Sequence, residues 1–175
     1  MVLLCNWTSV VYRKLYKFFL RTNIKNLFAI GIFIPVLMSL LMALMHHLFP
    51  DIFSFSDDKD IMELIKQKPR LLISIILIGP VIETLLQYVP VKISIFFQKR
   101  FKYANLFAII LSATVFGYLH DGFAFMVFIP LFFAGLLWAF LCLVFIKRKI
   151  IPFVSITIIH GAYNAILLLL DYMIY

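Results

Sequence analysis

Charged residues are scarce in this sequence. Only 14% of its 175 residues are Asp, Glu, Lys or Arg, whereas 65% are hydrophobic. A soluble domain usually has about a quarter charged residues and about half apolar ones, so this chain has too little polar surface to cover a water-facing globule. The composition excludes a soluble globular fold and predicts an integral membrane protein.

Cysteine is equally rare, and the two residues present, Cys5 and Cys142, lie far apart in the chain. Such a pair predicts neither a disulfide framework nor a cysteine-based metal site. The first twelve residues also lack the order of basic, apolar and small residues that marks a cleaved signal peptide. We therefore expect no disulfides and no signal peptide.

The net charge of +8 would suit a nucleic-acid-binding protein, but its distribution does not. The basic residues lie in short clusters between apolar runs, where they act as determinants of membrane topology. We therefore expect the lipid bilayer, and no nucleic acid, as a partner.

The apolar runs predict an all-α fold, a polytopic membrane helix bundle of about five transmembrane helices. Residues 1–26 mix aromatic and basic side chains and predict an amphipathic helix on an anionic membrane surface. The rest, residues 27–175, is the predicted transmembrane domain. The fourth span has no strongly polar side chain and is expected to face lipid. The predicted spans are residues 27–49, 71–89, 105–120, 123–146 and 150–170.

The charge asymmetry of the connecting segments predicts a cytoplasmic N-terminus. With that orientation the inner segments hold twelve of the sixteen basic residues and no acidic residue. The loop at residues 50–70 holds the other four basic residues together with five of the eight acidic ones. The positive-inside rule therefore favours five spans with the C-terminus outside.

Polar side chains inside the predicted spans are the candidates for function. Glu83 lies within an apolar run, where a charge costs at least about 2.5 kcal/mol, so it is a functional candidate by default. His120 and His160 lie in two other spans. Phe116 and Asn164 lie one helical turn from His120 and His160, on the same helix faces. Because exposure of such groups to lipid is costly, we expect them to converge on an interior or water-filled cavity.

These residue types suit the hydrolysis of an amide bond. A carboxylate removed from bulk water is a stronger base than one in solution and can activate a water molecule. A neighbouring imidazole can hold the same water, and a second imidazole with an amide can donate to the oxyanion. Glu and His also build proton relays, so a proton-coupled transporter is an alternative. The lack of an internal repeat argues against that alternative.

Three short motifs resemble those of the CPBP family, the CAAX-protease and bacteriocin-processing (Abi) intramembrane endopeptidases. The family patterns are Glu-Glu-x-x-x-Arg shortly after a Pro, then Phe-x-x-x-His, then His-x-x-x-Asn. The resemblance covers roughly residues 70–170, and each motif lies in an apolar span. In this chain the motifs read PVIET from Pro80, FGYLH from Phe116 and HGAYN from His160.

The resemblance implies a role for each residue that matches a motif. Glu83 and His120 would hold and activate the water, His160 and Asn164 would stabilise the oxyanion, and Phe116 would support the site. No cofactor or metal is needed in this scheme. The substrate would be a membrane-associated, prenylated or leader-bearing protein or peptide, and the location a bacterial cell membrane.

The first motif departs from the family pattern. Anchored on its Pro, the motif puts Glu83 in the place of the first glutamate, Thr84 in that of the second and Tyr88 in that of the arginine. In another register Glu83 is the second glutamate and Gln87 takes the arginine position. Ile82 then stands where the first glutamate should be. We prefer the Pro-anchored register, because it keeps the glutamate that activates water. Thr84, Gln87 and Tyr88 are then expected to be supporting residues, with Gln87 replacing the arginine by hydrogen bonding.

Two further alternatives remain open from the sequence. Glu83, His120 and His160 could bind zinc, because carboxylate and imidazole are acceptable zinc ligands, although no His-Glu-x-x-His helix is present. The altered first motif also allows a catalytically silent relative that acts as a scaffold or as a bacteriocin immunity protein.

Overall fold

The computed structural model describes residues 2–49, 65, 68–121 and 125–174, which form six helices and no strands. The third helix changes from α to π geometry over Ser74–Ile78 and returns to α geometry at Gly79. The prediction of an all-α helix bundle is confirmed, and most of the predicted loop at residues 50–70 lies outside the described residues. The helices are α1 (Val2–Arg21), α2 (Ile24–Leu48), α3 (Arg70–Phe97), α4 (Ala104–Asp121), α5 (Phe125–Lys147) and α6 (Pro152–Ile174).

Four of these helices, α2, α3, α5 and α6, are long and apolar enough to cross a membrane. They make the chain an integral membrane protein. The apolar part of α4, Ala104–His120, is shorter. At 1.5 Å per residue it extends about 26 Å, somewhat less than the hydrocarbon thickness of about 30 Å.

Helix α3 is longer than the sequence predicts. The predicted span ends at residue 89, before a proline, but the helix continues through Pro90 to Phe97. Pro35 and Pro130 likewise lie inside α2 and α5. Proline is tolerated inside membrane helices because neighbouring helices and local adjustments satisfy the backbone groups that it frees.

Helix α5 forms the centre of the bundle, so the expectation that the fourth span faces lipid is wrong. About 61% of its span is buried, against 17% for that of α3. Trp138, Leu141, Val144 and Phe145 of α5 are fully buried. Lipid tails are as apolar as leucine, so the lack of polar side chains does not distinguish a lipid-facing helix from a central one.

Small residues let α5 pack closely against its neighbours. Gly135 lies so near α4 that a Cβ atom added to it would be 2.9 Å from the Cα of Ala113. Ala134 and Ala139 of α5 are also buried. Close backbone approach at small residues is the usual basis of helix association in membranes.

Helix α1 packs against the centre of the bundle through aromatic side chains. The rings of Tyr12 and Phe19 contact that of Phe140 on α5 edge-on, at centroid distances of 6.0 and 5.2 Å. A guanidinium N–H of Arg148 donates to the carbonyl oxygen of Thr22 at 2.6 Å. The segment predicted as amphipathic is therefore helical, and one of its faces contacts protein.

Candidate functional site

Three of the predicted site residues meet at one carboxylate oxygen. Oε2 of Glu83, on α3, lies 3.4 Å from Nε2 of His120, on α4. The same oxygen lies 3.3 Å from Nε2 of His160, on α6. The convergence of these polar residues, expected from the cost of exposing them to lipid, is present.

The length of α3 explains why Glu83 and His120 lie at the same depth. Glu83 is 14 residues before Phe97, and His120 is 16 residues after Ala104. At 1.5 Å per residue the two are about 21 and 24 Å from the connection between α3 and α4. A helix that ended at residue 89 would place Glu83 and His120 at different depths.

A backbone hydrogen bond fixes the orientation of His120. Its Nδ1–H donates to the carbonyl oxygen of Phe116, one turn earlier, at 2.8 Å. Since a neutral imidazole carries a single N–H, Nε2 then presents a lone pair towards Glu83. An ionised Glu83 and a neutral His120 are thus two acceptors facing each other. Such a pair can accept both hydrogens of one water molecule.

His160 is held by aromatic rings on two sides. Its side chain is 1% exposed, and its ring centroid is 4.4 Å from that of Trp138 and 5.4 Å from that of Phe116. Phe116 also contacts the ring of His120 at 4.7 Å. The ring of Phe116 therefore separates and orients both imidazoles, consistent with its predicted supporting role.

Trp138 is a site residue that the sequence does not reveal. Its ring is fully buried, and its indole N–H donates to the carbonyl oxygen of Gly31 on α2 at 2.8 Å. Tyr163, another neighbour of this ring at 5.5 Å, shares a hydrogen bond of 2.9 Å with Ser39. Trp138 belongs to no motif, and Tyr163 occupies a variable position of the third one. Only the tertiary contact with His160 indicates Trp138.

Asn164 contacts the backbone of α3 rather than Glu83. Its Nδ2 donates to the carbonyl oxygen of Ile75 at 2.8 Å, inside the π-helical segment. Next to it Gly161 lies so close to α3 that an added Cβ would be 2.7 Å from the carbonyl oxygen of Ile76. One N–H of Asn164 thus ties α6 to the segment that ends five residues before Glu83. π-Helical segments occur often at functional sites.

The supporting residues predicted from the first motif form no hydrogen bond with Glu83 among the described residues. Thr84 and Gln87 are buried, and their side chains make no hydrogen bond with the described residues. The carbonyl oxygen of Gln87 accepts from Ser112 on α4 at 3.1 Å. The hydroxyl of Tyr88 accepts from the ammonium group of Lys92 at 2.8 Å. Among the contacts that the structure describes, neither Gln87 nor Tyr88 binds Glu83.

The site is open on one side only. The side chains of Glu83 and His120 are 25% and 29% exposed, whereas His160 is closed off by its neighbours. Oε2 of Glu83 and Nδ1 of His160 make no direct hydrogen bond within the described part of the chain. The exposed surface of Glu83 therefore belongs to its other atoms, because Oε2 itself is buried between the two imidazoles.

The donor set of the site includes the three residues considered as zinc ligands. The two Nε2 atoms and Oε2 face one another, and both chemistries are acceptable to zinc. Nevertheless, in the described ranges no group of three or more His, Cys, Asp or Glu residues meets the geometry of a metal site.

Compared with known proteins, the chain matches no protein-family model, no curated protein and no solved structure.

Proposed function

We propose that this protein is an intramembrane endopeptidase of the CPBP type. Its reaction is hydrolysis of a peptide bond in a membrane-associated, prenylated or leader-bearing protein or peptide. The observation that supports this proposal is the position of Oε2 of Glu83, within 3.4 Å of an imidazole nitrogen from each of two other helices. An ionisable cluster inside membrane helices is costly to maintain without a function.

Water activation follows from the hydrogen bonding of His120. A water on the exposed side of Glu83 and His120 donates one hydrogen to the carboxylate and the other to Nε2, because Nδ1 of His120 is already bound to Phe116. Its oxygen lone pair is then directed away from both acceptors and attacks the carbonyl carbon of the peptide. Glu83 takes the proton as the new C–O bond forms and gives it to the amine nitrogen as the C–N bond breaks.

The oxyanion of the tetrahedral intermediate requires hydrogen-bond donors. His160 supplies one when its hydrogen is on Nε2, the nitrogen that faces the site. Asn164 supplies another through its second amide hydrogen, because only one of the two is bonded to the carbonyl oxygen of Ile75. Each such donor contributes about a hundredfold or more to the rate.

The location that fits this activity is a bacterial cell membrane, with the N-terminus in the cytoplasm. The basic connections at residues 98–103 and 147–151 follow the second and fourth of the five spans, on the same side as the basic α1. The positive-inside rule assigns that side to the cytoplasm.

A second candidate function is a non-catalytic one, as a scaffold or a bacteriocin immunity protein. The observation in its favour is the altered first motif. Thr84 replaces the second glutamate, and Tyr88 at the arginine position binds Lys92 instead of a carboxylate. The helix that carries Glu83 therefore lacks the ion pair that the family pattern implies.

The test is a comparison of peptide termini in the membranes and medium of cells that express the protein or its Glu83→Gln variant at equal levels. The variant keeps the shape of the side chain but cannot take up a proton. Asp171→Asn, the same chemical change near the end of α6 and outside the site, is the matched control.

Termini that appear with the unchanged protein and with Asp171→Asn, but not with Glu83→Gln, are the expected result and identify the substrate. Identical termini in all three cultures, with a host phenotype retained by Glu83→Gln, would support the scaffold instead. Once a substrate is known, cleavage should persist after treatment with a zinc chelator. Its loss would favour the zinc alternative.

A further inference from the structure

A concave feature of the bundle lies along α3 and α4, away from the catalytic candidates. It is a cleft of about 730 Å³, within the range of sites that bind small molecules. Its walls are apolar and come from both helices, mainly Ile93 and Phe97 of α3 and Phe107 and Leu111 of α4. Phe107 is 68% exposed, so the cleft opens to the outside of the bundle.

The cleft is separate from the site around Glu83. The wall residue nearest to Glu83 in sequence, Pro90, is seven residues further along α3, about 10 Å along the helix axis. Between them the two helices are joined by the hydrogen bond from Ser112 to the carbonyl of Gln87. A ligand in the cleft therefore does not need to touch Glu83.

Two cationic side chains border the apolar walls. Arg100 and Lys102, in the short connection between the two helices, line the cleft. Both are exposed, and neither forms an ion pair with a carboxylate in the described part of the chain. Lys102 instead lies over the ring of Tyr103, 5.4 Å from its centroid. The cleft thus combines a long apolar wall with two unneutralised positive charges at one end.

This combination fits an amphiphile with an anionic headgroup. The connection lies beyond the ends of two membrane helices, at the level where lipid headgroups are found. Basic residues there attract anionic lipids, and basic pockets between membrane helices bind their headgroups. A zwitterionic lipid would fill the apolar walls equally well but would leave the two charges unneutralised.

We propose that the cleft between α3 and α4 is a binding site for an anionic phospholipid. The lipid phosphate contacts Arg100 and Lys102, and one acyl chain lies against Phe97, Phe107 and Leu111. This site is independent of the proposed hydrolytic activity, because none of these residues belongs to the catalytic candidates.

Native mass spectrometry of the purified protein with added phosphatidylglycerol or phosphatidylcholine tests the proposal. Two variants probe the two parts of the site. Arg100→Ser with Lys102→Ser removes the charges, and Leu111→Trp fills the cleft while leaving them in place. The matched control is Lys14→Ser with Lys17→Ser, which removes two exposed positive charges from α1.

The unchanged protein should bind phosphatidylglycerol more tightly than phosphatidylcholine. Removing Arg100 and Lys102 should weaken phosphatidylglycerol binding about thirtyfold, from the usual contribution of two basic residues near an anionic surface. Leu111→Trp should weaken the binding of both lipids, and the Lys14 and Lys17 control should bind like the unchanged protein.

Three results would overturn the proposal. Equal binding of the two lipids by the unchanged protein would exclude an anionic headgroup site. An equal loss in the control would mean that only net charge attracts the lipid. Unchanged binding by Leu111→Trp would mean that no acyl chain enters the cleft. Thermal unfolding of each variant shows that its fold is intact before binding is compared.

Discussion

Helices α3 and α5 differ in both polarity and burial. Helix α3 carries Glu83, the most costly side chain in the bundle, yet only 17% of its span is buried. Helix α5 has no acidic or basic side chain before its last residue, Lys147, yet 61% of its span is buried. Inside a membrane, polarity indicates where chemistry can occur, whereas burial follows from how closely backbones can approach.

This difference predicts that substitutions in the two regions have different consequences. Changes at the polar site between α3, α4 and α6 should lower the rate of cleavage while the protein still folds. Changes on the packed faces of α5 should lower stability first.

His120→Gln should lower the rate of substrate cleavage by about 100- to 10,000-fold, because an amide oxygen accepts a hydrogen bond more weakly than the imidazole Nε2 that holds the water for Glu83. The melting temperature should change little, since the side chain is partly exposed. The measurements are single-turnover cleavage and thermal unfolding. His47→Gln, at the exposed end of α2, is the control. If the His120 variant cleaves at the normal rate, the imidazole has no role in the mechanism.

Asn164→Ala should slow cleavage about a hundredfold, because one oxyanion donor is lost. It should also lower the free energy of unfolding by about 1 kcal/mol, through the lost bond to Ile75. Ser112→Ala removes a comparable bond between helices, to the carbonyl of Gln87. That control should show the stability loss without the rate loss. If both variants slow cleavage equally, Asn164 acts only by joining helices.

Gly135→Leu should lower the free energy of unfolding by about 1–3 kcal/mol, the usual cost of overpacking. Even its Cβ would meet the Cα of Ala113 at 2.9 Å, so α4 and α5 must separate. Unfolding by titration with a denaturing detergent measures the change. Phe133→Leu, at an exposed position of the same helix, should have almost no effect. Normal stability of the Gly135 variant would contradict the close approach of these helices.

Trp138→Phe should lower the free energy of unfolding by about 1 kcal/mol, because it removes the hydrogen bond to Gly31 and keeps an aromatic ring beside His160. Tyr163→Phe removes the neighbouring hydrogen bond to Ser39 and should cost a similar amount. The same denaturing titration measures both variants. If Trp138→Phe loses most of its cleavage activity but keeps normal stability, then Trp138 acts in catalysis and not only in packing.

Most of the candidate site could be predicted from the sequence. Four of its residues are polar side chains in apolar spans, namely Glu83, His120, His160 and Asn164. The free-energy cost of exposing them to lipid identifies them as candidates before the structure is known. Phe116 followed from its position one turn before His120. Trp138 could not be predicted in this way, because an indole in an apolar helix is equally suited to lipid, to packing or to a site.

The structure also changes the interpretation of the residues after Glu83. The sequence suggested that Gln87 replaces the family's arginine by hydrogen bonding, but its side chain makes no hydrogen bond with the described residues. Tyr88, at the arginine position of the preferred register, binds Lys92 on its own helix. A spacing of four residues indicates a shared helix face, but it does not determine which helix that face meets.

Composition and residue order are enough to predict a bundle of membrane helices. They also identify the side chains that are too costly to lie in a membrane without a function. Both properties depend on the free energy of transferring each residue from water to lipid, and the sequence alone shows which residues each span contains. The tertiary structure decided that α5 is central, that α3 continues through Pro90, and that three helices meet at one carboxylate oxygen. These properties depend on contacts between helices, and in a membrane such contacts are selected by shape and not by hydrophobicity.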